Sequence, residues 1–414
     1  MVEMMREFEE HTLSNGIRLI HKRVKSTRIT HCGFHLDIGS RDELVHQQGI
    51  AHFWEHMAFK GTNKRKAYHI LNRLDSVGGE LNAYTTKEKI CFYASILTEF
   101  FPKAFDLLAD ITFDSIFPEK QIENERNVIL EEMAMYKDSP EDSIMDDFDD
   151  IIFKGHSLGR NILGTKSSIN SFHRNDFKSF IAENINTEKI VFSSVGNIPF
   201  SKVIRLAEKF LSGIDHHTSN QERKPYMIFN PTIRDLKKTI SQSHCAIGRT
   251  SYNISHSKRL PFFLLINLLG GPGMNSRLNL TLREKKGYVY SVDGQFSSFT
   301  DTGMFGIFFA TEPKQLNKAK SMVLKELKQL RIKKLGSLQL HKAKEQLTGQ
   351  IAMSEENNLS FMLMMGKSLL DLGRIQQLDE IFAKIKNTSS SDLIDVANEM
   401  FEEDNLSILS YSPN

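Results

Sequence analysis

The sequence is short of cysteine, of long apolar runs and of net charge, and each shortage excludes a class of protein. Its three cysteines, Cys32, Cys91 and Cys245, are too few and too scattered for a disulfide framework or a cysteine zinc site. No run approaches about 18 uninterrupted apolar residues, so we expect no helix that crosses a membrane. The formal net charge of +2 gives no reason to expect nucleic acid or an anionic membrane as a partner.

The first residues also lack the features of a targeting signal. Residues 1–13, MVEMMREFEEHTL, have no apolar segment like that of a secretory signal. They are also acidic and poor in Ser and Arg, unlike a mitochondrial transit peptide. A cytoplasmic location is therefore expected.

What is present is a chain long enough for more than one hydrophobic core. Its 414 residues predict at least two domains. A polar, irregular segment after residue 211 (SGIDHHTSNQERKP) predicts a linker at 216–232. Similar patterns occur before and after it, because the offset of 213 residues between Cys32 and Cys245 also separates Glu99 from Glu312. Around both glutamates a strand is followed by an acidic turn and an amphipathic helix.

This repeat predicts an α+β fold made of two homologous halves. Each half, 1–215 and 233–414, would be an α/β sandwich in which helices cover a mostly antiparallel sheet. A repeat of this length indicates a duplicated domain and not a solenoid, whose periods are far shorter. Two unrelated α+β domains with coincidental strands are the alternative.

Local patterns in the first half predict its elements. Asn15-Gly16 is a tight-turn signal that predicts a hairpin within residues 1–24. Cys32, Phe34, Leu36 and Ile38 alternate along the chain and predict a strand with one apolar face. Further periodicity predicts a strand at 89–97 and helices at about 50–60, 67–77, 101–114 and 119–136.

His52, Glu55 and His56 form a pattern typical of a zinc hydrolase. In the predicted helix GIAHFWEHMAF, positions i and i+4 lie about 40° apart, so both imidazoles can reach one ion. Glu55 lies on the same side, where it can contact a water on the metal without binding the metal itself. Such a pattern arises by chance in roughly a few per cent of comparable sequences. Two histidines and a glutamate can also form the solvent-exposed face of a helix. The apolar neighbours predict a buried helix, however, and burying these polar groups is costly unless a zinc ion pairs with them.

A catalytic zinc ion takes a third protein ligand and keeps a position for water, whereas a structural ion takes four protein ligands. Glu125, Ile129 and Glu132 form one stripe of the helix at 119–136, and Glu132 is the candidate ligand. Glu131 is the alternative, although it points about 100° away. Glu125, two turns earlier, is expected to accept a hydrogen bond from a ligating histidine.

The repeat predicts that the first half alone binds metal. At the same offset, the three residues of the helical motif correspond to Leu265, Leu268 and Leu269. Glu132 corresponds to a position near Glu345 or Gln350. The second half would keep the helix for packing without the ligands, so we expect one Zn²⁺ per chain.

These residues together resemble the pitrilysin family of zinc peptidases, which includes insulin-degrading enzyme and the mitochondrial processing peptidases. The resemblance covers nearly the whole chain. GIAHFWEHMAFKGT at 49–62 and the spacing from His56 to Glu132 match the family's metal motif. Further matches are GGELNAYTTKE at 78–88, HSLGRNILGT at 156–165 and the glycine-rich stretch at 268–292. One departure is Trp54, where a smaller Leu or Val is usual in the family.

The resemblance implies a zinc-dependent endopeptidase with Glu55 as its general base. It implies that Arg283 and Tyr290 stabilise the oxyanion, although taken alone they would be read as surface and packing residues. It also implies an edge strand that holds extended peptide substrates, formed by Asn82, Ala83 and Tyr84.

Short members of this family enclose a chamber between two chains, so a homodimer, or a heterodimer with a homologous chain, is expected. The substrates would be unfolded peptides. Two alternatives remain: a non-catalytic partner subunit of a processing-peptidase-like complex, and a zinc hydrolase that acts on a different bond, such as a small amide.

Overall fold

A computed structural model describes residues 8–219, 222–227 and 229–414. The prediction that residues 1–13 are not a targeting signal and the prediction of a hairpin at 1–24 fall partly on residues 1–7, which lie outside the described residues. The predicted linker at 216–232 includes residues 220, 221 and 228, which lie outside them as well.

The described residues form eleven strands, fourteen α-helices and several short 3-10 turns, together with a π-helical turn at Asn279–Glu284. The strands are β1 (Glu9–Thr12), β2 (Arg18–Arg23), β3 (Ile29–Leu36), β4 (Glu80–Thr85), β5 (Ile90–Leu97), β6 (Ile190–Gly196), β7 (Ile233–Lys238), β8 (Ser243–Ser251), β9 (Val289–Ser298), β10 (Gly303–Thr311) and β11 (Ser407–Pro413). The helices are α1 (Ile50–Ala58), α2 (Ala67–Asp75), α3 (Phe101–Phe113), α4 (Glu119–Asp138), α5 (Pro140–Ile152), α6 (Lys166–Ser171), α7 (Arg174–Asn184), α8 (Phe200–Leu211), α9 (Arg259–Gly270), α10 (Leu316–Ile332), α11 (Ser337–Glu356), α12 (Asn358–Leu372), α13 (Leu378–Asn387) and α14 (Ser390–Met400).

The local predictions for the first half are confirmed where the structure describes them. Strands β1 and β2 form an antiparallel hairpin, and Gly16 in its turn has the positive φ of 92° that glycine tolerates best. The side chains of Cys32, Phe34, Leu36 and Ile38 are buried together in one core. The observed α1 to α4 and β5 begin and end within a few residues of the predicted bounds.

The first of two compact units is built on a six-stranded sheet. Its described residues are 8–133, 160–219, 222–223 and 354–375. The strand order is β1-β2-β6-β3-β5-β4, and every neighbouring pair is antiparallel except β2 and β6. Helices α1, α3 and α8 pack with one face, whereas α12 packs on β6 and β3. Strand β4 is an edge strand of this sheet, beside the helix α1.

The second unit is built on a five-stranded sheet. Its described residues are 134–159, 224–227, 229–353 and 376–414. The strand order is β7-β11-β8-β10-β9, in which only β7 and β11 are parallel. Helices α9 and α10 belong to the core on one side of the sheet, and α5 packs against β8, β11 and β10.

The two sheets share one topology. Strands β2, β6, β3, β5 and β4 have the same order and directions as β7, β11, β8, β10 and β9. Cys32 in β3 lies opposite Ala94 and Ser194, and Cys245 in β8 lies opposite Phe309 and Ser410. The structure therefore confirms the predicted α+β fold of two helix-covered, mostly antiparallel sheets.

Each unit contains one helix that comes from the other half of the sequence. Helix α5, in the first half, belongs to the second unit, and α12, in the second half, belongs to the first unit. The compact units are thus discontinuous along the chain. The division into contiguous homologous halves on either side of a linker at 216–232 stays a prediction.

No helix in the described ranges combines the length and the apolar composition that a membrane span requires. All three cysteines are buried and free.

Candidate metal centre and active site

The helix that carries the two candidate histidines begins at a tightly constrained position. Gly49 precedes α1 with a φ of 91°, and a Cβ there would lie 2.6 Å from the carbonyl oxygen of Leu163. The buried Glu43 accepts hydrogen bonds from the backbone N–H groups of Gly49 and Ala51, at 2.9 and 3.0 Å. Because these are among the orphan donors at a helix start, the Glu43 carboxylate holds the first turn of α1 in place.

Most of α1 is buried, and the two histidines occupy its remaining polar face. His52 is 8% exposed, and its ring centroid lies 4.5 Å from that of His56. Trp54 faces the opposite way and is fully buried, with its ring near Phe92 and Phe180. The larger residue at position 54 therefore fills the core and does not approach the histidines.

Helix α4 brings Glu132 to the two imidazoles. Its Oε2 atom lies 3.8 Å from Nε2 of His52 and 3.6 Å from Nε2 of His56. One ligand atom from each of the three residues lies within 4.8 Å of the others. Glu131, the alternative considered from the sequence, is exposed and is not part of this group.

The donor set and its spacing fit a zinc ion. The N···O separations are too long for hydrogen bonds. Two ligands that each lie about 2.1 Å from one tetrahedral ion are about 3.4 Å apart, which is close to the separations here. Three ligands of this type would leave a fourth position for water. No second group of three such ligand atoms occurs within residues 8–219, 222–227 and 229–414.

A chain of side chains orients His56. Its Nδ1 atom donates to Oε1 of Glu125 at 2.9 Å, an assignment that leaves Nε2 free to face Glu132. Lys60 Nζ pairs with the other oxygen of Glu125 at 2.5 Å. Burial alone would raise the pKa of the Glu125 carboxyl, but the hydrogen bonds from His56 and Lys60 lower it. Glu125 is therefore an ionised acceptor, in the outer role that the sequence predicted for it.

His52 is held differently. Burial, and then the neighbouring His56, lower the pKa of His52 to about 3. Its Nδ1 atom is buried and has no hydrogen-bond partner among the described residues. Its imidazole is thus neutral at physiological pH, which is the form that binds metal.

Glu55 lies beside the two histidines on α1. Burial raises the pKa of its carboxyl, partly offset by a hydrogen bond from Thr85 and by the nearby His56. Thr85 Oγ1 donates to Oε2 of Glu55 at 2.5 Å. A carboxyl group with a raised pKa next to a water-binding position is suited to accept a proton from water.

The predicted substrate strand is β4. Asn82, Ala83 and Tyr84 pair with Tyr93, Phe92 and Cys91 of β5, on one side only. Asn82 is exposed, whereas Ala83 and Tyr84 are partly buried. An edge strand of this kind presents unpaired backbone groups to which an extended peptide can add.

Arg283 and Tyr290 belong to the second unit, where the structure places them near each other. Arg283 lies in the π-helical turn Asn279–Glu284, and its guanidinium carbon is 5.6 Å from the centre of the Tyr290 ring. Tyr290 is 83% exposed, near the start of the edge strand β9. In the same unit, Leu265 and Leu269 are buried in the core, as expected for a helix that has packing residues where α1 has the candidate metal ligands.

Three residues of this site were not identified from the sequence: Glu43, Lys60 and Thr85. Lys60 and Thr85 lie inside the two motif segments at 49–62 and 78–88. Their location in these segments is the sequence signal that could have identified them. Glu43 lies six residues before Gly49 and carried no periodic signal. Each acts through a contact that depends on the folded chain.

The chain is similar to a set of named zinc proteases. The family model described as Insulinase (Peptidase family M16) matches residues 18–166, and that of the Peptidase M16 inactive domain matches residues 171–347. The chain is 34% identical over 407 residues to an uncharacterized zinc protease, YmxG, of Bacillus subtilis, which covers 98% of this chain and 99% of the relative. It is 33% identical over 402 residues to an uncharacterized zinc protease of Rickettsia felis, covering 96% of each chain.

Solved structures show the same fold at lower identity. A protease from Helicobacter pylori superposes with a TM-score of 0.91 at 21% identity, covering 98% of this chain and 99% of that one. A structure from Pseudomonas fluorescens, titled as a peptidase M16 inactive domain, gives a TM-score of 0.90 at 17% identity, covering 98% of each chain.

Proposed function

Since the chain belongs to peptidase family M16, we propose that it is a zinc-dependent endopeptidase that hydrolyses unfolded peptides. The observation that carries this proposal is the trio of His52, His56 and Glu132, with Glu55 beside it. A structural metal site would need a fourth protein ligand, and among the described residues the trio has none.

Each candidate site residue of the first unit has a role in this proposal. His52, His56 and Glu132 would hold one zinc ion, which would supply Lewis-acid chemistry: it would polarise a carbonyl group and lower the pKa of a water. Glu55 takes the proton from that water and then gives it to the nitrogen of the leaving amine as the C–N bond breaks. Glu125 and Lys60 keep the His56 ring in the tautomer that directs Nε2 to the site.

Substrate would bind along β4. The backbone of Asn82, Ala83 and Tyr84 would pair with an extended peptide, which places a backbone carbonyl near the end of the strand where Thr85 contacts Glu55. Recognition through backbone groups requires an unfolded segment and reads side chains only weakly. Arg283 and Tyr290 are proposed to donate hydrogen bonds to the developing oxyanion.

The test combines zinc content with peptide cleavage. We expect the purified protein to carry about one zinc ion per chain, to cleave unstructured peptides and to lose activity to a chelator. Glu55→Gln should keep the metal and lose hydrolysis, because it removes the base and spares the ligands. His56→Ala and Glu132→Ala should lose both, whereas the matched control Glu131→Ala should lose neither.

Two outcomes would contradict the proposal. A zinc-loaded protein that cleaves no peptide in a mixed library would instead support a non-catalytic partner subunit. Cleavage of small amides in preference to peptides would support a hydrolase of another bond.

A further inference from the structure

The carboxylate of Glu55 accepts one side-chain hydrogen bond, and Thr85 donates it. The Oγ1 to Oε2 distance is 2.5 Å. Within the described ranges no other side chain hydrogen-bonds to this carboxylate, so Oε1 has no side-chain hydrogen bond. A hydrogen bond to an ionised oxygen is among the stronger ones in proteins.

The position of the Thr85 hydroxyl is fixed by the backbone that carries it. Thr85 is the last residue of β4 and lies opposite Ile90. The turn that follows is closed by hydrogen bonds between Thr86 and Lys89, at 2.7 Å from the Thr86 amide and 2.9 Å to its hydroxyl. Threonine is also branched at Cβ, which leaves its side chain few rotamers.

Three consecutive buried charged residues, Lys87, Glu88 and Lys89, anchor the same turn. Lys87 Nζ donates to the carbonyl oxygen of Arg160 at 2.7 Å, and Arg41 pairs with Glu88 at 2.5 Å. Lys89 forms an ion pair with Asp371 of α12. Lys87, Glu88 and Lys89 are each less than 9% exposed. The hydroxyl of Thr85 is therefore presented to Glu55 by a turn that buried ion pairs and hydrogen bonds anchor.

We propose that Thr85 is a positioning residue for Glu55, whose hydroxyl holds Oε2 so that Oε1 exchanges the proton with water and with the leaving amine. This inference rests on the proposed peptidase function. Without the hydroxyl, the terminal torsion of a glutamate is broad and roughly two-fold, so the carboxylate would rotate. A rotating carboxylate has its free oxygen in the reactive geometry for only part of the time, which lowers the rate of the chemical step.

The geometry separates this role from substrate binding. The backbone of Asn82 to Tyr84 is the part of β4 proposed to hold peptide, whereas the Thr85 side chain touches the base. Removing the hydroxyl should therefore lower kcat and leave KM nearly unchanged.

The test compares Thr85→Val, Thr85→Ser and the control Thr98→Val in the full-length, zinc-loaded protein. Valine keeps the branched shape, and serine keeps the hydroxyl. Thr98 also loses a hydroxyl, one that donates to the carbonyl oxygen of Arg28 at 2.9 Å. For Thr85→Val we expect a fall in kcat of about 10- to 100-fold, because a hydrogen bond to a charged group is lost. KM should change by less than about twofold, with zinc content unchanged.

Thr85→Ser should restore most of kcat, and Thr98→Val should retain it. Crystal structures of the variants give a second readout that does not depend on activity. The Glu55 carboxylate should take one orientation in the wild type and in Thr85→Ser, and more than one in Thr85→Val. An unchanged kcat in Thr85→Val, or a single carboxylate orientation in that variant, would overturn the inference. If the wild type cleaves no peptide, the proposed function fails, and the carboxylate orientation alone decides the role of Thr85.

Discussion

At the scale of single residues, the two candidate histidine ligands are supported in different ways. His56 is oriented by a relay through Glu125 to Lys60, whereas His52 has no hydrogen-bond partner at Nδ1 among the described residues. His52 is buried on α1 and lies near His56 and Glu132. The relay should therefore contribute to metal affinity through His56 only.

Loss of the relay should weaken metal binding. We expect Glu125→Gln to raise the Kd for zinc about 10- to 100-fold, since outer-shell partners of ligating histidines typically contribute that much. Lys60→Met should act in the same direction and more weakly, because Glu125 keeps its bond to His56. Competition with a chromogenic chelator measures both. Lys64→Met is the control, since Lys64 pairs with Asp114 at the surface. Equal zinc affinity in Glu125→Gln and the wild type would show that the relay does not support the site.

The start of α1 should be intolerant of any side chain at position 49. Gly49→Ala places a methyl group 2.6 Å from a backbone oxygen and also forces a non-glycine residue to a φ of 91°. We expect a loss in unfolding free energy of about 2 to 4 kcal/mol, from strain and steric contact together.

Gly78→Ala is the matched control for this prediction. Gly78 has a φ of 72°, but a Cβ there would meet nothing within 4 Å. Its cost should be about 1 to 2 kcal/mol, from the backbone conformation alone. Denaturant unfolding of both variants measures the difference, and equal losses would mean that the contact with Leu163 is easily relieved.

Residue-level prediction from sequence works where a local period carries the information. The i, i+4 spacing of His52 and His56 and the i, i+7 stripe of Glu125 and Glu132 are properties of single helices, and the structure brings these four side chains together. Thr85 contacts a residue 30 positions away, and no period links the two. Such contacts are created by the packing of α1 beside β4, which a single sequence does not encode locally.

At the scale of elements, α12 covers the first sheet by an unusually close approach. A Cβ at Gly366 would lie 2.2 Å from the ring of His35 in β3. The same ring bonds to the hydroxyl of Ser193 at 2.8 Å, and that hydroxyl contacts Met362 of α12. Glycine at 366 is thus required so that helix and sheet can meet over a buried histidine. The sequence predicted β1, β2, β3 and β5, and the family resemblance implied β4. It predicted neither β6 nor the helix that covers the sheet, because α12 lies more than 150 residues from β6.

Two histidines buried in the first unit should make its stability depend on pH. Burial lowers the pKa of His21 to about 4, and burial and then Lys89 lower that of His35 to about 3. The unfolded chain binds these protons near pH 6.5, whereas the folded chain does not. Stability is therefore full above about pH 6.5 and falls as the pH decreases toward 4.

We expect each histidine to cost about 2 kcal/mol of unfolding free energy at pH 5 relative to pH 7.5. Denaturant unfolding at the two pH values measures the loss. His21→Gln should remove its own share of this loss, about 2 kcal/mol. His46→Gln, which changes an exposed histidine, should leave the pH-dependent part intact. A loss of the same size in His21→Gln as in the wild type would contradict the prediction.

At the scale of the whole molecule, we expect a homodimer whose active sites are completed in trans. Zinc would come from the first half of one chain, and Arg283 and Tyr290 from the second half of the other. Mixing inactive Glu55→Gln and Tyr290→Phe chains should then create dimers with one site that carries both defects and one that carries neither. With random pairing, about a quarter of wild-type activity should return. No recovery, with subunit exchange shown independently, would rule out the trans arrangement and leave a cis site or a heterodimer.

Because α12 belongs to the first unit but lies late in the sequence, the core of the first unit cannot be completed early in synthesis. When the ribosome has made the first 215 residues, all six strands of the first sheet exist, but α12 does not. Ile20, Val191 and Val195 belong to the core that α12 closes with Phe361, Met362, Met365 and Leu369, so that face of the sheet stays open to water. Burial of these side chains must wait until residues 358–372 have left the ribosome. A nascent chain halted near residue 215 would therefore be a sheet with a bare apolar face, which is a substrate for chaperones and for aggregation.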